Sequence, residues 1–213
     1  GHTIDSVEPI YGLVALGLVH PKRIKRNADA RVGDRLILGK PLGVGVLSAA
    51  LKKNALSPEG YAQMIANTTQ LNTPGAALSA LSGVHAMTDV TGFGLAGHAL
   101  EMARGCQHTI QLNMHHVPLL HGVRALAEQG MLTGASGRNW SAYGHEVELG
   151  SDCNAIDQAL LSDPQTSGGL LVACAPESVA EVLAVFAQHG FAHACEVGEI
   201  TSTSASGARL IVR

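Results

Sequence analysis

VHAMTDVTGFGLAGHALEMAR, residues 84–104, is the stretch on which the fold turns. A short apolar run, Val84 to Met87, ends at an acidic residue, Asp89, flanked by Thr88 and Thr91. The glycine-bracketed turn TGFG follows, and after it Leu95, Ala99, Met102 and Ala103 recur at helical spacing on one face. His98, Glu101 and Arg104 fall on the other face. A strand therefore hands over to an amphipathic helix, with the helix N-terminus left facing outward.

The same grammar extends in both directions. Upstream, RLILGK (35–40) reads as a strand and LGVGVLSAALKK (42–53) as a helix ending in cations that suit its C-terminus. Ser57-Pro58 and Thr73-Pro74 each read as an N-cap followed by proline at the first helical position. Gly83 closes the second of these helices. Downstream, HTIQLN (108–113) reads as a strand and LLHGVRALAEQG (119–130) as a helix. Residues 131–152 form a long polar, glycine-rich loop of the kind that is usually functional or mobile. A short helix (153–162), the strand GGLLVACA, a helix opened by Pro176 and the closing strands ACEVGEIT and ARLIVR complete the chain. The pattern predicts an α/β domain over residues 31–213. Residues 1–30 read instead as the last strand and exit of an earlier domain, because the apolar run PIYGLVALGLVHP has no preceding strand to pair with and isolated strands are marginal in water. On this reading the sequence is the back part of a longer protein.

The strand–helix junction has the chemistry of an anion site. A hard divalent cation such as Mg²⁺ takes carboxylate oxygen and completes its shell with water and phosphate. Asp89 at a strand end suits that role. The first amides of a helix have no partners within it and, with the helix dipole, favour an anion. Gly92 and Gly94 allow close approach, and Thr88 and Thr91 add hydroxyl donors. The plainer alternative is that Asp89 or Thr91 only caps the helix and the glycines only make the turn. The segment matches neither the P-loop nor the dinucleotide fingerprint. SDPQTSGGLL (162–171) is either a tight helix-to-strand connection or a wall of the same cleft. Arg138, in GRNW, either pairs with phosphate or is a solvated loop charge.

Composition narrows the classes. Aromatic residues are only 3% of the chain, which argues against a base-stacking reader of single strands. A net charge of −3 attracts neither a nucleic-acid backbone nor an anionic membrane. No apolar run reaches the roughly 18 residues of a membrane span. The four cysteines form no C-x-x-C pair; free thiols fit a reducing, cytoplasmic compartment, and Cys174 reads as a core residue. The histidines number 11, yet His108, His115, His116 and His121 lack the spacing of helical zinc ligands and read as surface or core residues.

MTDVTGFGLAGH (87–98) and SDPQTSGGLL (162–171), supported by GHTIDSVEPIYGL (1–13), KPLGVGVLSAALKK (40–53) and GRNWSAYGH (137–145) in that order, resemble the selenophosphate synthetase (selenide, water dikinase) family. The resemblance covers nearly the whole chain. It implies the aminoimidazole ribonucleotide synthetase-like fold, with a C-terminal α/β domain here preceded by the end of a barrel domain that builds a homodimer. It implies a reaction in which ATP, selenide and water give selenophosphate, AMP and phosphate with Mg²⁺ as cofactor. Carried over residue by residue, it makes Asp89 a magnesium ligand, and Gly1, His2 and Thr3 nucleotide contacts from a neighbouring subunit. The family's catalytic Cys or selenocysteine, its nucleotide-binding Lys and its other metal-binding Asp residues precede the GHT motif, so no catalytic residue is expected in this segment and the chain alone is expected to be inactive. A non-catalytic module that dimerises or docks a partner is the competing reading. A superfamily member acting on a purine intermediate is a further one, which both signature segments disfavour.

Overall fold

In the computed structural model, residues 7, 12, 14 and 16–213 are described. A seven-stranded mixed sheet organises them, in the order β2-β5-β1-β6-β3-β7-β4. In chain order the strands are β1 (Arg35–Leu38), β2 (Val84–Asp89), β3 (Thr109–Leu112), β4 (Val147–Leu149), β5 (Leu170–Cys174), β6 (Cys195–Thr201) and β7 (Leu210–Val212). The helices are α1 (Val44–Lys52), α2 (Pro58–Thr69), α3 (Pro74–Ala80), α4 (Gly94–Cys106), α5 (Val123–Glu128), α6 (Gly134–Tyr143), α7 (Ala155–Leu161) and α8 (Val179–Gln188). The expected α/β class is thus borne out. β1, β2, β3, β5 and β6 pair antiparallel, whereas β7 runs parallel to both β3 and β4.

β5 explains the layering. All five of its residues are buried, and alternation sends Leu171 and Ala173 to one core and Leu170, Val172 and Cys174 to the other. The first core is the larger, with Leu95, Ala99, Leu100 and Met102 of α4 and Val46 and Leu47 of α1. The second takes Leu78 of α3 with Val182 and Phe186 of α8. Covered on both faces, β5 reads as an unbroken apolar run. All four cysteines are free, with Cys174 buried as expected.

Several local expectations change. The polar segment 131–152 is largely α6, a 3₁₀ turn and β4. Thr133 caps α6 by accepting from the Ser136 amide at 3.1 Å. α5 starts later than expected because Leu119 and Leu120 are engaged elsewhere, the Leu120 amide donating to Leu42 and the Leu42 amide to Pro118, both at 2.9 Å. Ser57 does cap α2, accepting from Gly60, while Thr73 caps nothing. The strand expected in PIYGLVALGLVHP (9–21) is not present at residues 16–20, which are exposed and carry no strand, nor at Pro21, which opens a 3₁₀ turn; apart from 12 and 14, the rest of that stretch lies outside the described residues. Residues beyond it dock on the domain: Lys25 donates to the carbonyls of Leu81 and Val84.

Candidate active-site edge around Asp89

Asp89 is the last residue of β2, opposite Leu170, and is exposed. Among the described residues its carboxylate makes no hydrogen bond and no ion pair. The capping alternative fails, since the N-cap position of α4 is Phe93 and no side chain caps it. Among the described residues Asp89 therefore has no structural partner. A carboxylate kept at a strand end without a partner is available to a ligand.

The turn beside it is held by its neighbours. Thr91 O accepts from the amides of Gly94 (3.1 Å) and Gln165 (3.0 Å), and the Val90 amide donates to Gly169 O at 2.9 Å. Asn139 Nδ2 reaches Gly92 O at 2.8 Å and Ser162 O at 3.1 Å, and the Tyr143 hydroxyl donates to Phe93 O at 2.6 Å. The carbonyls of residues 91, 92 and 93 are all engaged. The amides of Gly92 and Phe93 meet no acceptor among the described residues, so the turn offers its electropositive side outward. Gly94 makes the geometry possible: its φ is +71°, and a Cβ there would stand 2.7 Å from Leu161 O.

SDPQTSGG turns out to be the tight connection. Asp163 and Gln165 are buried and face inward. Asp163 Oδ2 accepts from the amides of Gly45 (3.0 Å) and Val46 (3.3 Å), and Gln165 Oε1 from those of Gly43 (3.1 Å) and Val44 (3.3 Å). Gln165 Nε2 ties the pair together, donating to Asp163 Oδ2 at 2.9 Å. The motif satisfies the orphan amides of α1 from a distance of more than a hundred residues. Burial pushes the Asp163 carboxyl up to about 7 against these three bonds, and its Oδ1 is buried without a partner. At Gly168 a side chain would run into the Val90 carbonyl, so the motif and the TGFG turn pack backbone to backbone.

Lys40 completes the interlock. Its ammonium is buried and donates to the carbonyls of Asn67 (2.9 Å), Gln70 (2.6 Å) and Ser167 (2.7 Å). It thus fastens the C-terminus of α2 to the same connection, where a cation suits the helix dipole. Burial lowers its pKa.

Arg138 lies on α6 rather than in a loop, is exposed and has no ion-pair partner among the described residues. Its neighbour Asn139 is the residue that reaches the turn. His98 corrects the expected helix face, because its ring is buried against Phe93, with ring centroids 5.9 Å apart. His115, His116 and His121 are exposed and His108 is partly buried. No group of three or more His, Cys, Asp or Glu able to hold a metal ion occurs among the described residues. Gly1, His2 and Thr3 lie outside the described residues.

The three motif segments thus converge on one edge of the sheet. Residues 31–211 match the family described as AIR synthase related protein, C-terminal domain. The chain belongs to this family. Its sequence is similar to the selenide, water dikinase of Burkholderia pseudomallei strain K96243, 66% identical over 205 residues, covering 96% of this chain and 58% of that protein. It is also similar to that of Rhizobium meliloti strain 1021, 53% identical over 211 residues, covering 99% of this chain and 59% of that protein. The expected resemblance is borne out, and the chain spans less than two thirds of these relatives. The fold is shared with Escherichia coli HypE, at TM-score 0.63 and 21% identity over 86% of this chain and 51% of that one. It is shared too with thiamine-monophosphate kinase from Stenotrophomonas maltophilia K279a, at TM-score 0.61 and 16% identity over 88% and 52%.

Proposed function

We propose that this chain is the C-terminal portion of a selenophosphate synthetase, whose complete form converts ATP, selenide and water to selenophosphate, AMP and phosphate. On this reading residues 1–30 end an ATP-binding domain and residues 31–213 form the second domain of a cytoplasmic homodimer. The observation that carries the proposal is Asp89, an unpartnered carboxylate beside a turn whose carbonyls are tied back and whose amides face out.

The edge fits Mg²⁺ as one contributor to a site. Magnesium takes one or two carboxylates together with water and phosphate oxygens. Asp89 would be the ligand, with acidic residues of the preceding domain completing the set. Bound there, the ion would supply neutralisation of charge on the phosphates of ATP. The amides of Gly92 and Phe93 would orient an anionic group beside it, and Asn139 and Tyr143 would keep the turn rigid while they do so. Gly1, His2 and Thr3 would contact nucleotide from the neighbouring subunit, on the strength of the sequence resemblance alone. Asp89 alone does not replace the catalytic Cys or selenocysteine, the nucleotide-binding Lys and the other metal-binding Asp residues that the resemblance places in the preceding domain, so the 213-residue chain by itself is inactive on this account.

The test is AMP release from ATP and selenide by the complete protein, by its Asp89→Ala variant and by the 213-residue chain. The expected result is turnover by the complete protein only, with the variant reduced at least about a hundredfold. Unchanged turnover in the variant would refute the role of Asp89. Turnover by the short chain that Asp89→Ala abolishes would refute the need for a preceding domain.

A further inference from the structure

Lys40, just past the end of β1, is only 1% exposed, a rare place for a charged side chain. What surrounds its Nζ is backbone: Asn67 O at 2.9 Å, Gln70 O at 2.6 Å and Ser167 O at 2.7 Å. Three carbonyl acceptors need three N–H donors, and of the two forms of lysine only the ammonium has three. The geometry therefore fixes a full positive charge inside a cage of carbonyl oxygens. No carboxylate shares the charge among the described residues. Two of the carbonyls belong to the end of α2, where the last C=O groups lack partners within the helix and the dipole favours a cation. The third belongs to Ser167, at φ +49°, a left-handed conformation that is costly for serine. Among the described residues no other donor reaches Gln70 O or Ser167 O. Backbone carbonyls gathered around one small buried charge are what replaces the hydration shell of a potassium ion.

We propose that the carbonyls of Asn67, Gln70 and Ser167 form a monovalent-cation site whose resident ion is the chain's own ammonium, so that Lys40 does the work of a bound potassium ion. A free ammonium or potassium ion matches the lysine head group in charge and nearly in size, and the cage takes either once the side chain is removed. Sodium is smaller and holds its water more tightly, and a site without a carboxylate is a poor one for Mg²⁺. Asn72 Oδ1, a further buried oxygen without a partner, lies on the residue that binds the next carbonyl of the connection. The site is mechanical in purpose. Three successive carbonyls of the connection are each held by a different part of the fold: Ser167 O by Lys40, Gly168 O by Asn72 Nδ2 at 2.8 Å and Gly169 O by the Val90 amide at 2.9 Å. The caged cation thereby ties the end of α2 to the segment that pairs with the end of β2. This holds whatever Asp89 binds.

The test is thermal unfolding of the complete protein and its Lys40→Ala and Lys40→Met variants in potassium, ammonium, sodium and choline chloride at equal ionic strength. Lys40→Ala vacates the cage, and its Tm is expected to be roughly 5 °C higher in potassium or ammonium than in sodium or choline, as for a site filled by an ion at about ten times its Kd. Lys40→Met leaves an apolar chain in the cage, and it and the wild type are expected to show no such preference. Amide exchange at residues 166–169 of Lys40→Ala should slow about tenfold when potassium replaces sodium. Crystals of that variant soaked in thallium(I), a potassium substitute, should show an anomalous peak among the three carbonyls. A Lys40→Ala Tm that is the same in potassium and sodium would overturn the proposal, as would a potassium gain of equal size in wild type or Lys40→Met, which would place the ion elsewhere. Failure of Lys40→Ala to fold in all four salts would overturn it too, because the cage would then accept no free cation.

Discussion

Replacing Asp163 by asparagine isolates one buried charge without disturbing its neighbours. The three hydrogen bonds that Asp163 accepts all fall on Oδ2, and Oδ1 has no partner, so an asparagine keeps its carbonyl where the bonds are and puts its amide where there were none. What changes is the titration. Burial raises the folded-state carboxyl to about 7, whereas in the unfolded chain it titrates near 4. A carboxyl raised on folding contributes stability that is complete below its unfolded value and is lost as pH rises through the folded one. Between pH 5 and pH 8 the folded wild type therefore forfeits about 2 pH units of proton affinity, or about 2–3 kcal/mol. The asparagine variant has no such dependence. Urea unfolding of both proteins at pH 5 and pH 8 reads the difference directly, because the titrations of all other groups cancel. Relative to wild type, Asp163→Asn should gain about 2–3 kcal/mol on going to pH 8, a Tm change of roughly 5–10 °C at this size. A stability difference that is flat with pH, or that favours the wild type at pH 8, would refute the assignment of a costly buried carboxyl to this motif.

Other substitutions read the remaining contacts. Gly94→Ala forces a side chain to φ +71° against Leu161 O and should cost at least about 2 kcal/mol, measured by urea unfolding. Tyr143→Phe removes the bond to Phe93 O and leaves that carbonyl without a protein donor; a loss of about 1 kcal/mol, with faster amide exchange at residues 92–94, is expected. Lys40→Met strands the carbonyls of Asn67, Gln70 and Ser167 and should lower stability by about 2–4 kcal/mol; a variant as stable as wild type would show that the ammonium's desolvation cancels its three bonds.

Much of the frame is legible in the residues. The apolar run of β5, the helix period of α4 and the Ser57-Pro58 start of α2 are signals of local physics, and the structure follows them. α6 is hidden because its composition, GASGRNWSAY, is glycine- and serine-rich; what stabilises it is its Thr133 cap and its packing on Ser162 and the TGFG turn. The role of SDPQTSGG is open in the sequence for a related reason. Its polar residues look solvent-facing there, and only the long-range contact with the amides of α1 explains why Asp163 and Gln165 are buried. Periodicity puts His98 on the wrong face of α4 because it records hydrophobicity, and a histidine with two buried partners reads as polar. The nearest available signal is its spacing, seven residues after Thr91 and three before Glu101. Asp89 is the reverse case, visible as chemistry in the sequence, with the structure contributing the observation that its carboxylate has no hydrogen-bond or ion-pair partner among the described residues.

The central claim is that Asp89 serves a ligand and not the fold. The direct measurement pairs urea unfolding with equilibrium binding of Mg²⁺–ATP, in the complete protein and its Asp89→Asn variant. The account predicts stability within about 0.5 kcal/mol of wild type, as for an exposed residue without partners, and nucleotide affinity in the presence of magnesium lowered at least about tenfold. A variant that binds Mg²⁺–ATP as wild type does, or one that loses stability to the same extent as it loses binding, would contradict it.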